Sequence, residues 1–375
     1  MNFFNKLFSV LNSMLIVLIT SMSLGCTTNA STVQDFKDIQ ESKPIKAKFE
    51  PEDGKVLMFV GQELEAVGGV PGFQNGYLDH FRKPAGWTAY TSFNGDLQGV
   101  WETGSWGDGY SNMSLQLQHF DDMALAIGID FVNQEESLAS GLMDDTILRL
   151  GNFLKNLGTR PVFLRIGYEF DGHDWNHYDR LNYIKGFRRV KDKFDSLKVE
   201  NVAFVWQSTG WASNLDMLEQ WYPGDEYVDW CGFSFFSRWD EQRMIEFARA
   251  KGKPVFIAEA SPTISDFTVK FDGQTKETIL SNTDQAEEAW GKWFLPFFKT
   301  IDENPDVVKA IGYINCHWKN NDMWKSNTTF GKIDARLQTS EMISEKWDSV
   351  ISQPKYIHAY EKLYDDLWNN GANAN

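Results

Sequence analysis

Cysteine is scarce in this chain, with three in 375 residues. Cys26 closes an N-terminal apolar stretch, which leaves Cys231 and Cys316 in the body of the protein, both inside apolar runs. A disulfide framework is therefore excluded as the source of stability. Positive charge is short as well: 36 Lys and Arg stand against 52 Asp and Glu, a net charge of -16, with no basic block to neutralise phosphates. That excludes nucleic acid as a partner. No GxGxxG or P-loop follows any apolar run, so nucleotide cofactors are not indicated. The apolar stretch Met14 to Leu24 is too short and too interrupted to span a bilayer.

What the chain has in plenty is aromatic surface. Its 15 Trp, 12 Tyr and 28 Phe exceed what one core needs, and surplus Trp and Tyr line surfaces that bind sugar rings and other flat, amphipathic ligands. Hydrophobic residues at 42% and charged residues at 23% exclude a disordered chain. At the N-terminus, Lys6, the apolar stretch and Ser23-Leu24-Gly25-Cys26 read as a targeting segment. It resembles a bacterial lipoprotein signal in which Cys26 receives the lipid, with plain secretion as the alternative. The expected location is the cell envelope or the extracellular space. Residues 27–50 are polar and of mixed charge, and read as a tether to a single domain over 51–375.

Within that domain, β-branched apolar runs alternate with amphipathic segments, the pattern of repeated βα units around a parallel sheet. Eight strands are predicted, near Val56–Val60, Trp87–Phe93, Met123–Phe131, Pro161–Ile166, Val202–Trp206, Trp230–Phe235, Pro254–Ala258 and Ala310–Cys316. Eight is the number that closes a (β/α)8 TIM barrel, and the chain is long enough for one. Helical stripes recur at Leu181, Ile184, Phe187, Val190 and Phe194, and at Ala286, Ala289, Trp290, Trp293 and Phe297. Shorter ones run over Met143 to Leu157 and Glu241 to Ala250, and Thr339 to Ile351 is expected to close the outer ring. Gly61 to Gly109, rich in glycine and carrying Trp101 and Trp106, reads as long loops on the binding face of the barrel.

Two glutamates follow strand ends. Glu169 ends the run Arg160-Pro161-Val162-Phe163-Leu164-Arg165-Ile166-Gly167-Tyr168-Glu169, and Glu259 ends Pro254-Val255-Phe256-Ile257-Ala258-Glu259. In a closed barrel both open on the C-terminal face. Each interrupts apolar sequence, where an unpaired charge is costly. A pair about 5 Å apart serves double displacement at an acetal carbon, whereas roughly 6.5–9.5 Å admits a water and inversion. Either spacing is glycoside hydrolysis. Arg165 either neutralises Glu169 or holds the other carboxylate ionised.

These two strand ends, the arginine ahead of the first, and Gly167-Tyr168-Glu169-Phe170-Asp171-Gly172 followed by Trp175-Asn176 resemble the retaining glycoside hydrolases of clan A. Within the clan the chain is similar to glycoside hydrolase family 26, which contains β-mannanases and β-1,3-xylanases. The resemblance implies Glu169 as acid/base and Glu259 as nucleophile. Tyr168 stands where that family usually has histidine. Trp318 resembles the aromatic platform that clan A enzymes place under the sugar at the cleavage point, and Phe236 occupies a place where an aromatic contacts the nucleophile or the ring.

Other residues on the same face are candidates for lining the substrate site: Arg165, Trp175, Asn176, Gln207, Arg238, His317 and Lys319. His173 and His177 are four apart without a third ligand pattern, so no metal and no cofactor is expected. Arg238, Lys319 and Lys325 put positive charge on the loops of an acidic protein, which separates a neutral mannan or xylan from a sulfated red-algal galactan such as carrageenan or agar. The expected activity is thus a secreted retaining endo-β-glycosidase acting on a polysaccharide. The competing expectation is a non-catalytic carbohydrate-binding lipoprotein on the same scaffold, since folds do not fix function.

Overall fold

The computed structural model describes residues 46–105, 109–210, 214–236, 242–264 and 275–372. The leader, Cys26, Trp106 and Arg238 lie outside the described residues. Eight parallel strands form the centre: β1 (Val56–Gly61), β2 (Gly86–Ser92), β3 (Ala124–Asp130), β4 (Val162–Ile166), β5 (Val202–Ser208), β6 (Trp230–Phe235), β7 (Val255–Ala260) and β8 (Val308–Ile314). Each pairs with the next in sequence, and β8 returns to β1 with Leu57 opposite Ala310 and Gly61 opposite Ile314, which closes the barrel. All eight strands expected from the sequence are present.

The outer ring is built from α1 (Glu135–Ser140) and α2 (Asp144–Lys155) after β3, α3 (Arg180–Leu197) after β4, α4 (Leu215–Trp221) after β5, and α5 (Gln242–Lys251) after β6. After β7 come α6 (Thr283–Ala289) and α7 (Leu295–Glu303), joined by a π-turn over Trp290–Phe294. Last are α8 (Glu341–Ile351) and α9 (Leu363–Ala372). Between Gly61 and Gly109, where the sequence suggests loops, the described residues carry the short helical turns Leu64–Val67 and Tyr77–Asp79; Gly104–Ser105 pairs with Tyr110–Ser111, and the turn Met113–Leu117 follows. Helix α3 corrects one detail of the predicted stripe. Tyr183, Phe187, Val190 and Phe194 are buried, but Leu181, in the first turn of the helix, is 60% exposed. No helix among the described residues is long and apolar enough to cross a membrane.

Strand alternation sorts the core into two layers. Outward residues such as Val162, Leu164, Ile257 and Ile311 pack against the helices, while inward residues such as Phe59, Phe163, Val205, Trp230 and Phe256 fill the lower barrel. Phe163 is the hub of that plug, with ring centroids of Phe59, Trp230, Phe49 and Phe256 5.3, 5.2, 5.9 and 6.0 Å away. Phe49 belongs to the stretch expected as tether. Instead residues 46–50 seal the bottom of the barrel: Phe49 is fully buried between Phe163 and Trp368 of α9, and the Lys48 carbonyl accepts from Trp230 Nε1 at 2.7 Å. Both Cys231 and Cys316 are buried and neither forms a disulfide; the Cys316 thiol donates to Glu63 Oε1 at 3.3 Å.

Candidate active site

One layer above the aromatic plug the inward positions turn polar. On β4, Phe163 is followed inward by Arg165; on β5, Val205 by Gln207; on β6, Trp230 and Gly232 by Ser234; on β2, Gly86 by Thr88 and Tyr90. Room for the arginine is made by Gly128 of β3, where a Cβ would come within 2.7 Å of the Tyr90 ring and 2.9 Å of Arg165 Nη2.

Glu259 joins this layer by a fault in the strand. Phe256 and Ala258 face inward and Ile257 outward, so strict alternation points residue 259 out into the helices. The register against β6 shifts there, with Phe233 opposite Ile257 but Ser234 opposite Glu259, and β8 shows the matching shift. This β-bulge turns the carboxylate inward, a common use of an extra residue beside a site. Glu259 therefore sits inside β7, which runs two residues further than the sequence pattern suggested.

There its Oε1 accepts from Arg165 Nη1 at 2.6 Å and from Gln207 Nε2 at 3.3 Å. Arg165 is wholly buried and also donates to Gln207 Oε1 at 2.9 Å and Thr88 Oγ1 at 2.9 Å, with its guanidinium over the faces of Tyr90 and Tyr168. This corrects the expectation that Arg165 lines the substrate site: every direction from it leads to protein. It holds Glu259 as a carboxylate, and it does not neutralise Glu169.

Glu169 lies past the end of β4, on a turn held in the left-handed region at φ 53°, which a side chain other than glycine adopts only when the surroundings enforce it. The enforcing contacts come from Asn176, whose Nδ2 donates to the carbonyls of Tyr168 and Glu169 at 3.0 and 2.8 Å. Asp171 pins the same turn to the end of β5 by accepting from Ser208 Oγ at 2.6 Å and the Thr209 amide at 2.7 Å. Asn176 is thus a buried brace, which corrects its expected place among the substrate contacts.

Trp175 Nε1 donates to Glu169 Oε2 at 2.9 Å, while 47% of the residue stays exposed. Its indole rests against Gly172, where a Cβ would approach to 2.5 Å. Burial, and next the charge of Glu259, raise the Glu169 carboxyl to about 8, opposed by hydrogen bonds to Ser234 and Trp175. At neutral pH Glu169 holds its proton. The result is a buried neutral carboxyl beside an ion-paired carboxylate, two acids pushed apart in role by their surroundings.

The remaining candidates lie around the end of β8. Trp318 is 2% exposed, covered by Phe330 at 4.0 Å, Phe236 at 5.5 Å and Trp324 at 6.1 Å between ring centroids, so its face is sheathed rather than open. Phe236 belongs to that pile. His317 Nε2 lies 3.5 Å from Asp334, which in turn holds Arg336, and burial lowers the His317 pKa, so that it is neutral at pH 7. Lys319 pairs with Glu277 at 2.6 Å and Lys325 with Asp322 at 2.6 Å, so these two lysines do not form a free cationic patch. Among the described residues no group of three His, Cys, Asp or Glu is arranged to hold a metal.

Sequence reading missed Thr88, Tyr90, Asp171 and Ser234. Ser234 alone left a trace, as a lone hydroxyl at an inward position of the apolar strand Trp230–Phe235.

The pattern of glycosyl hydrolase family 26 matches residues 110–272, a span that contains both Glu169 and Glu259. A β-1,3-xylanase from a Vibrio species is 31% identical over 343 residues, 87% of this chain and 71% of that protein. One from an Alcaligenes species is 30% identical over 335 residues, 86% and 69% respectively. Among solved structures, a β-mannanase of the family from Bacteroides ovatus superposes with a TM-score of 0.56 at 15% identity, covering 83% of this chain and 93% of the other. A second family member, from a Muricauda species, gives 0.52 at 15% identity, covering 83% and 90%. Those two likenesses speak to the barrel alone. The sequence relatives carry the rest: with 31% and 30% identity over most of both chains, the chain belongs to glycosyl hydrolase family 26 and is an endo-acting glycoside hydrolase.

Proposed function

We propose that the protein is a retaining endo-β-1,3-xylanase in which Glu259 is the nucleophile and Glu169 the acid/base. The observation that carries the mechanism is the unequal pair: Glu259 clamped by Arg165 as an anion, and Glu169 kept protonated by burial and by the anion beside it. Glu169 gives its proton to the leaving glycosidic oxygen while Glu259 bonds to the anomeric carbon. Water then attacks that carbon, its proton passes to Glu169, and the bond to Glu259 breaks. Trp175, half exposed and bonded to the acid, is the surface on which a sugar ring rests.

The substrate follows the two relatives named as β-1,3-xylanases. The pairing of Lys319 and Lys325 with carboxylates favours a neutral polymer over a sulfated galactan. Export through the leader, with Cys26 carrying a lipid, suits an enzyme whose substrate is too large to enter a cell. The test is hydrolysis of β-1,3-xylan, mannan, agar and carrageenan with product sizing. Release of β-1,3-xylooligosaccharides as β-anomers is the expected result, and action on mannan or on a sulfated galactan alone overturns the substrate. A membrane-fraction lipid label lost in Cys26→Ala checks the anchor.

A further inference from the structure

The turn that carries Glu169 sends one of its own side chains back to the acid. The Gly172 amide donates to the Glu169 carbonyl at 2.8 Å, and the Trp175 amide to the Gly172 carbonyl at 3.2 Å, so the chain folds the Trp175 indole against Gly172. A Cβ at 172 would stand 2.5 Å from Cε2 and 2.7 Å from Cζ2 and Nε1 of that indole, and these are the nearest atoms outside the adjoining residues. Backbone conformation does not reserve the place for glycine, since the φ of Gly172 is not positive. What needs the space is the edge of the indole, and that edge carries the N–H that donates to Glu169 Oε2 at 2.9 Å. The main chain of the turn is braced separately by Asn176 and Asp171, so displacing the indole leaves Glu169 in place.

An indole nitrogen can only donate, and the better acceptor of a neutral carboxyl is its carbonyl oxygen. The N–H of Trp175 therefore fixes Oε2 as the carbonyl oxygen and leaves the proton to Oε1. We propose that Gly172 and Trp175 are a positioning pair that divides the work of the Glu169 carboxyl, with Oε2 held by the indole and Oε1 alone carrying the proton to and from the reaction. The proposal rests on the assignment of Glu169 as acid/base. In the first half of turnover the proton leaves Oε1 for the glycosidic oxygen, whose bond to the anomeric carbon breaks as Glu259 bonds there. Glu169 is then a carboxylate, and the indole still donates to Oε2, now to a charged and stronger acceptor. In the second half a proton of the attacking water arrives on Oε1 while the bond to Glu259 breaks. One oxygen handles the proton both ways, and the carboxyl never has to turn over.

The experiment has two arms. Neutron diffraction from deuterated wild-type enzyme at about pD 6, where Glu169 is neutral, is expected to place the carboxyl deuteron on the oxygen away from Trp175, with the indole N–D aimed at the other. In the second arm the pH profile of kcat/KM on β-1,3-xylan is measured for Gly172→Ala, Trp175→Phe and the double variant. Gly172→Ala pushes the indole off the carboxyl and moves the alkaline limb up by roughly one pH unit, the size of one hydrogen bond to a buried anion. Trp175→Phe does the same. The double variant matches Trp175→Phe alone, because a phenyl ring lacks the atoms that an added Cβ at 172 would strike. A deuteron on the oxygen facing Trp175 overturns the proposal, and decides it even where Gly172→Ala folds poorly. So does a Gly172→Ala shift that is absent, or that adds in full to that of Trp175→Phe. Full activity of Glu169→Gln on β-1,3-xylan instead overturns the acid/base assignment, wherever the deuteron lies.

Discussion

The lower and upper halves of the barrel interior are made by the same strands with the same alternation, yet one is a knot of aromatic rings and the other a net of charges. At the bottom, Phe59, Phe163, Trp230 and Phe256 interlock under the cover of Phe49. One inward step higher stand Arg165, Gln207, Ser234 and Glu259, buried almost as deeply. The difference lies in what each layer asks of the backbone. Apolar packing asks only that the rings stay in contact, and it accommodates the register shift between Val308 and Ala310 opposite Val255 and Phe256. The polar layer is assembled by irregularities: the bulge that aims Glu259, the left-handed turn that carries Glu169, and a glycine at 128 that makes way for Arg165. Stability resides in the first layer and chemistry in the second, where buried charge is tolerated because its partners are in place.

Separate failure of the two layers is the sharpest test of that division. Glu259→Ala lowers kcat by at least about 10⁴-fold, the order found for loss of a nucleophile, with the melting temperature little changed. Phe163→Ala does the reverse, costing about 3–5 kcal/mol in urea unfolding while kcat per folded molecule stays near wild type. Arg165→Met falls on both sides: it strands a buried carboxylate, costing roughly 3–5 kcal/mol, and activity falls with it. Adding Glu259→Gln to that variant returns part of the stability and none of the activity.

Two smaller effects concern Glu169. Trp175→Phe removes a hydrogen bond to its carboxyl and lowers kcat by about tenfold, with a pH–rate profile that extends further into alkali because the ionised acid has lost a donor. Wild-type activity itself falls as pH rises through about 8, where Glu169 loses its proton. The folded state favours the protonated group, so its contribution is present at low pH and is lost as pH rises through about 8. Glu169→Gln, permanently neutral, therefore melts above wild type at pH 9, measured by calorimetry, by a margin that shrinks as pH falls and vanishes below about 4.5, where the unfolded carboxyl is protonated too.

The apolar layer is the legible one. Continuous apolar, β-branched runs place all eight strands, and the two interrupting glutamates are visible because a charge in such a run needs a reason. What escaped was whatever depends on contacts distant in sequence or on broken regularity. Phe49 sits in polar surroundings in the sequence, and only the ring of Phe163, far along the chain, gives it a core. Asn176 and Arg165 were recognised as important but misplaced as substrate contacts, because sequence does not say whether a donor points outward to a ligand or inward to a carbonyl or carboxylate. The resemblance marks Trp318 as a sugar platform, while the later aromatics Trp324 and Phe330 fold over it.

The most direct measurement is to trap the reaction midway. Incubation with a 2-fluoro-β-1,3-xylobiosyl fluoride, followed by intact-mass analysis and peptide mapping, is expected to find one disaccharide esterified to Glu259. A label on any other residue, or turnover of β-1,3-xylan to α-anomers with no covalent species, contradicts the account.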